Sequence, residues 1–142
     1  MADIVDSKTR SRMMAGIRGR DTKPEIIVRK CLHATGFRFR LQQRIGKTKP
    51  DLVLSKWKTC IFVNGCYWHR HGGCRLASTP KTNADFWKNK FKENVERDRR
   101  NIAELESAGW RVGVVWECSV RAGNLTEVRI RSLMAQEESW VL

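Results

Sequence analysis

Lys49-Pro50-Asp51-Leu52-Val53-Leu54-Ser55-Lys56-Trp57-Lys58-Thr59-Cys60-Ile61-Phe62-Val63 holds two β-rich runs, 51–54 and 59–63, separated by the four residues Ser55-Lys56-Trp57-Lys58. The pattern is that of a hairpin. Its first residue after Pro50 is an aspartate, a poor strand former. If Leu54 pairs with Thr59 or Cys60, Asp51 lies opposite Phe62 or Val63, at the far end of the second strand. A carboxylate beside backbone carbonyls, completed by water and phosphate oxygens, is ligation that suits Mg²⁺. An aspartate that merely caps the turn after Lys49-Pro50 accounts for the same residue equally well.

Working outward, Thr22-Lys23-Pro24-Glu25 has the spacing of a capping box, with Pro24 tolerated in the first helical turn. A helix is expected from there to about residue 34, ended by Gly36. Phe37-Arg38-Phe39-Arg40-Leu41 alternates apolar and basic residues, the period of a strand with one wet face. A long helix is expected over 84–108, stopped by Gly109. A buried strand follows over 111–116, and a last helix over 125–136. The order αβββαβα gives an α/β fold, a mixed sheet flanked by helices. Residues 1–20 form a basic N-terminal arm around Met13-Met14-Ala15-Gly16-Ile17, and residues 21–142 a single domain.

The chain has 142 residues, enough for one core without disulfide staples. Its 28 Lys and Arg against 15 acids give a net charge of +13. Ten of the basic residues, against four acids, fall within the first forty positions. Such an excess points to a polyanion, most often nucleic acid. Neither a bilayer-length apolar run nor a signal peptide is present, so a cytoplasmic location is expected. Five cysteines in that compartment read as metal ligands and buried thiols rather than disulfides. Cys31 and Cys60 lie in apolar patterns and are core candidates.

Cys66-Tyr67-Trp68-His69-Arg70-His71-Gly72-Gly73-Cys74 concentrates two thiols, two imidazoles and two large aromatics. Zinc takes four N/S ligands at tetrahedral corners. Cys66, His71 and Cys74 have loop spacings that suit three of them, and Cys118 is the best candidate for the fourth. His69 is then left over, although the two histidines are only two residues apart and spacing does not decide between them. Tyr67, Trp68 and Trp87 have two available roles, as core aromatics or as a surface for stacking on a base.

In the long helix, Trp87, Phe91, Val95, Ile102 and Leu105 fall within an arc of about 80° at the helical period, and Asp98 falls inside it. A charge on the core stripe is costly unless paired. An arginine or His69 would serve, the second as an imidazole that Asp98 orients. Arg97, Arg99 and Arg100 lie off the stripe, where a basic outer face is the simpler reading.

Together, Lys49-Pro50-Asp51-Leu52-Val53, the run from Ile61 to His69, Phe86-Trp87, the run from Asn94 to Arg100 and Gly109-Trp110-Arg111-Val112 closely resemble very short patch repair DNA mismatch endonucleases. Thr9-Arg10-Ser11, Arg20-Asp21-Thr22 and Val115-Trp116-Glu117-Cys118 extend the resemblance over nearly the whole chain. It implies a restriction-endonuclease-like fold with a structural zinc. The implied activity nicks one strand of duplex DNA 5′ to the thymine of a T:G mismatch, the lesion left when 5-methylcytosine deaminates.

Carried onto matching positions, the resemblance implies that Asp51 binds Mg²⁺ with the Val63 carbonyl. It makes His69 the general base, supported by Asp98, with Glu25 in the catalytic set. Cys66, His71, Cys74 and Cys118 would hold the zinc. Tyr67, Trp68 and Trp87 would enter the duplex, and Arg10, Arg12 and Arg20 would grip it. Cutting one strand implies a monomer on DNA, with repair machinery as a further partner. Family members carry Thr and His where this chain has Val63 and Asn64; a backbone ligand survives the first change, whereas the second removes an imidazole. A restriction endonuclease that cuts both strands and a zinc-braced DNA-binding module are the rival expectations.

Overall fold

The computed structural model describes residues 22–67, 69–71, 74 and 81–142. The expected arm, with Arg10, Arg12 and Arg20, and the expected DNA-binding residue Trp68 lie outside them.

Helix α1 spans Lys23–Ala34 and precedes strands β1 (Arg40–Leu41), β2 (Leu52–Leu54) and β3 (Thr59–Asn64). Helix α2 (Ala84–Ser107) leads to β4 (Arg111–Trp116), then come α3 (Glu117–Arg121), α4 (Glu127–Ala135) and β5 (Trp140–Val141). The five strands lie in sequence order. β1, β2 and β3 are antiparallel, while β3–β4 and β4–β5 are parallel. Parallel neighbours need a crossover connection, which α2 supplies between β3 and β4, and α3 with α4 between β4 and β5.

Period-two alternation divides the sheet between two cores. Leu52, Leu54, Ile61, Val63 and Val115 face one side, where they meet Val28 and Leu32 of α1, Ile130 and Met134 of α4, and Trp140. Cys60, Val112 and Val114 face the other and pack with Leu105, Ile102 and Phe62. Burying an aliphatic side chain of this size contributes about 1.5–3 kcal/mol. Gly113 is required where β4 meets Trp140, because a Cβ there would overlap the indole. Arg111 ties β4 to the end of α4, donating to the carbonyls of Met134 and Gln136 and to Thr59 Oγ1.

The hairpin forms as expected, with Leu54 opposite Thr59. A 3₁₀ turn over Ser55–Trp57 and Lys58 in the left-handed region, φ 50°, close it. Helices α1 and α2 end in front of Gly36 and Gly109, at φ 94° and 89°. Three expectations need correction. Phe37 is not in a strand; its N–H bonds to the Leu32 carbonyl at 2.9 Å to finish α1, and only Arg40 and Leu41 pair with β2. Thr22 gives no side-chain cap, and Glu25 is turned inward against Arg29, so the capping box does not form. The order αβββαβα also lacks α3 and β5. These five- and two-residue elements are too short to show a period.

Candidate active site and metal centre

The site gathers where β3 ends and the following loop begins, at the carboxyl edge of the parallel strands, the usual ligand-binding edge of open α/β sheets. The β2–β3 register puts Asp51 opposite Phe62. Its Oδ2 accepts the Val63 N–H at 2.7 Å. Continuing the same register sets Pro50 opposite Val63. Proline has no N–H, so the ladder offers Val63's carbonyl no donor, and that oxygen lies on the edge where Asp51 sits. A half-buried carboxylate and a carbonyl to which the β2 ladder offers no donor are groups that a hard divalent cation accepts.

Burial pushes the Asp51 carboxyl above its ordinary range. The Val63 N–H, the nearby Gln42 amide, His69 and Arg29 work in the opposite sense, favouring the carboxylate. Arg29 is also paired with Glu25 at 3.2 Å, and Glu25 is only 4% exposed. Glu25 therefore reaches the Asp51 neighbourhood through Arg29.

Turn hydrogen bonds shape the loop. His69 N–H donates to the Gly65 carbonyl and His71 N–H to the Cys66 carbonyl, both at 3.1 Å. The loop thereby sends its two histidines in different directions. His69 Nδ1 lies 2.6 Å from Asp98 Oδ2 on α2. With a carboxylate at Nδ1, the neutral ring carries its proton there and leaves the Nε2 lone pair as the basic site. Asp98 is thus paired with His69 rather than with a neighbouring arginine. A cleft of about 450 Å³ opens beside the pair, lined by Asn64, Arg70, Arg99 and Trp116 among others.

His71 turns the other way. The ligand atoms of Cys66, His71, Cys74 and Cys118 lie within 4.8 Å of one another. His71 Nδ1 is 3.7 Å from Cys66 Sγ and 3.3 Å from Cys118 Sγ. Zn–S and Zn–N bonds of about 2.3 and 2.0 Å imply a tetrahedral S–N edge of about 3.5 Å, which these two separations bracket. The four residues therefore fit one metal ion. Burial and the neighbouring thiols push Cys66 up to about 12, so without a metal it is a thiol at neutral pH. Trp116 stacks on the His71 ring at 4.3 Å and 11°. Glu117 Oε1 accepts the Cys66 N–H at 3.4 Å.

Beside this centre, Tyr67 meets Phe91 edge-on at 5.3 Å, Phe91 stacks with Trp87 at 5.9 Å, and Trp87 meets Phe86 at 5.3 Å. Phe86 is 61% exposed, so a run of four rings leads from the loop to the surface. The Arg70 guanidinium lies 4.1 Å from the Phe91 centroid and donates to the Tyr67 carbonyl.

A family model described as DNA mismatch endonuclease Vsr matches residues 2–75. The DNA mismatch endonuclease Vsr of Escherichia coli is 41% identical over 99% of this chain and 88% of its own length. The chain belongs to the Vsr family. It is a DNA endonuclease. The type II nicking enzyme V.NmeAIP of Neisseria meningitidis is 43% identical over 96% of each chain. That of Xanthomonas oryzae, V.XorIIP, is 39% identical over 94% of this chain and 98% of its own. Among solved structures, the catalytic domain of the homing endonuclease I-Bth0305I shares the fold, with a TM-score of 0.55 at 21% identity over 82% of this chain and all of that one.

Sequence reasoning passed over Gln42, Arg29, Arg70, Phe91 and Trp116 as site residues. Phe91 lay on the helical stripe and read as core. Arg70 was an unremarked residue between two histidines, and Gln42 carried no signal beyond its place after a strand.

Proposed function

We propose that this Vsr-family endonuclease nicks one strand of duplex DNA 5′ to the thymine of a T:G mismatch produced by deamination of 5-methylcytosine. The observation that carries this reading is the His69–Asp98 pair near the half-buried Asp51 carboxylate. Asp51 and the Val63 carbonyl would hold Mg²⁺, which when bound offsets the charge that develops on the phosphate. His69, kept in one tautomer by Asp98, takes a proton from water at Nε2 as that water attacks phosphorus, and the P–O3′ bond breaks with the leaving 3′ oxygen taking a proton from solvent. Glu25 holds Arg29 near Asp51 and so sets the charge around the carboxylate. The Cys66, His71, Cys74 and Cys118 set would hold zinc and brace the loop that carries His69. The rings of Tyr67, Trp68 and Trp87 would enter the duplex beside the mismatch. Arg10, Arg12 and Arg20 of the arm would hold phosphates.

Two of the relatives are nicking enzymes, which supports cutting of one strand. The test is a nicking assay on end-labelled duplexes carrying T:G or T:A at one position, with and without Mg²⁺. Cleavage of the thymine strand of the T:G duplex alone, and only with the metal, is expected. Equal cutting of the T:A duplex, or cutting of both strands, would reject the mismatch reading.

A further inference from the structure

Arg70 stands between His69 and His71 with its backbone in the left-handed region, φ 54°, which glycine occupies readily and other residues do not. The turn separates the imidazole that meets Asp98 from the one that meets the cysteines. An arginine kept where a glycine would be relaxed has a task for its side chain. Its guanidinium carbon lies 4.1 Å from the Phe91 centroid and 5.7 Å from that of Tyr67, and the two rings meet edge-on at 87°. Nη1 donates to the Tyr67 carbonyl at 3.2 Å. A flat cation therefore fills the corner between the rings and is tied to the main chain of one of them. Phe91 is 4% exposed on the core stripe of α2, whereas Tyr67 is half-buried on the loop. Arg70 thus links a ring of the loop to a ring held in the core. A guanidinium suits that place, because it stacks on aromatic faces and is less strongly hydrated than an ammonium.

We propose that Arg70 is a specificity-determining positioning residue: seated against Phe91 and bonded to the Tyr67 carbonyl, it holds the Tyr67 ring in the pose in which it enters a mismatched base step. The inference rests on the reading above that Tyr67 enters the duplex. A ring that is already ordered gives up no rotamer freedom on entry, and that loss is borne only where the ring goes in. At a matched step, which resists entry, the brace contributes little. Removing it lowers nicking at T:G more than at T:A.

Arg70→Met keeps length and apolar packing while deleting the cation and the donor. It should lower the ratio of kcat/KM on T:G to that on T:A by about 3–30-fold, the span that cation–π contacts cover from exposed to desolvated sites. Arg70→Lys, with the charge but not the flat face, should fall between Arg70→Met and the parent. In EDTA, a T:G duplex with 2-aminopurine beside the mismatch should brighten less on saturation with Arg70→Met than with the parent, since that fluorescence reports unstacking. Zinc content should match the parent, and affinity for matched DNA should stay within twofold. In a Tyr67→Ala background, Arg70→Met should change selectivity no further. Parental selectivity and fluorescence in Arg70→Met, or loss of its zinc or fold, would overturn the proposal. So would a further loss of selectivity in the Tyr67→Ala background, or a salt dependence of matched-DNA binding reduced by about one phosphate contact, since either makes Arg70 a direct DNA contact. Parental selectivity in Tyr67→Ala itself would instead reject the entry of that ring. Selectivity lost in Tyr67→Ala but parental in Arg70→Met rejects Arg70 alone.

Discussion

His69 and Asp98, twenty-nine residues apart, meet through Nδ1 and Oδ2 at 2.6 Å, each side chain about a quarter exposed. The loop supplies the imidazole and the core stripe of α2 supplies the carboxylate. An acid on an apolar stripe is costly to keep. Its retention is explained if it holds the ring in the tautomer whose Nε2 accepts a proton.

The first prediction follows from that contact. His69→Ala should cut nicking by about 10²–10⁴-fold, the usual contribution of a positioned base, and Asp51→Ala should be at least as severe. Asp98→Asn, which holds the ring but loses the charge, should fall between these and the parent. Gel-shift measurements on a T:G duplex should give affinities within several-fold of the parent for all three. If the Asp98→Asn protein unfolds rather than slows, Asp98 is structural.

A second prediction concerns the metal. Purified protein should contain about one zinc that survives dialysis against Mg²⁺-free buffer, and Cys74→Ser or Cys118→Ser should lose zinc and stability together. Stoichiometric zinc in Cys118→Ser would remove that residue from the set. Binding as thiolate must expel the Cys66 proton, so zinc affinity should fall as pH falls. The metal-free protein should respond in the opposite sense. Its Cys66 is raised from 9.0 to about 12, so the protonated thiol favours the fold fully below pH 9, and that contribution is lost as pH rises towards 12. Thermal melts of apo and zinc-loaded protein across that range check both signs.

Gly113 gives a prediction about the fold alone. Gly113→Ala forces a methyl into the Trp140 ring and should destabilise by about 1–3 kcal/mol in urea unfolding. A paired Gly113→Ala, Trp140→Leu variant should recover part of the loss. If the single variant is as stable as the parent, the β4–β5 contact is looser than the packing indicates.

How far residues alone could go depended on whether a feature was local. The 51–63 hairpin was legible because its turn and β-rich runs specify a register within fifteen residues. The α2 stripe was legible because 24 residues display the 3.6 period, and Asp98 stood out against it. Its partner did not, since nothing in spacing chooses His69 over an arginine across a tertiary contact. The division of labour between His69 and His71 was likewise decided by how the loop's turn hydrogen bonds aim each ring. β5 has only two residues and exists through its pairing with Gly113 and Val114. Arg70 was illegible for a related reason: left-handed arginine looks like any other arginine until its backbone is built.

The last prediction concerns how a mismatch is distinguished from a matched pair. Groove-edge hydrogen bonds give limited discrimination, whereas rings forced between base pairs cost a few kcal/mol of unstacking and recover roughly 1–3 kcal/mol per base–aromatic contact. A mismatched step is already weaker, so entry there costs less. Tyr67, Phe91, Trp87 and Phe86 form a connected set of rings whose outer member is largely exposed, and Arg70 lies over the inner ones. Phe91 is buried and would brace the set, leaving Trp87 and Tyr67 at the duplex. Trp87→Ala and Trp68→Ala should therefore nick T:G and T:A duplexes with more nearly equal kcat/KM, while zinc content and melting temperature stay near those of the parent. Binding of matched DNA should change little, because it depends on phosphate contacts, and should weaken steeply with added salt. Parental selectivity in both variants, or loss of fold, would make these rings part of the core and exclude them from reading the mismatch.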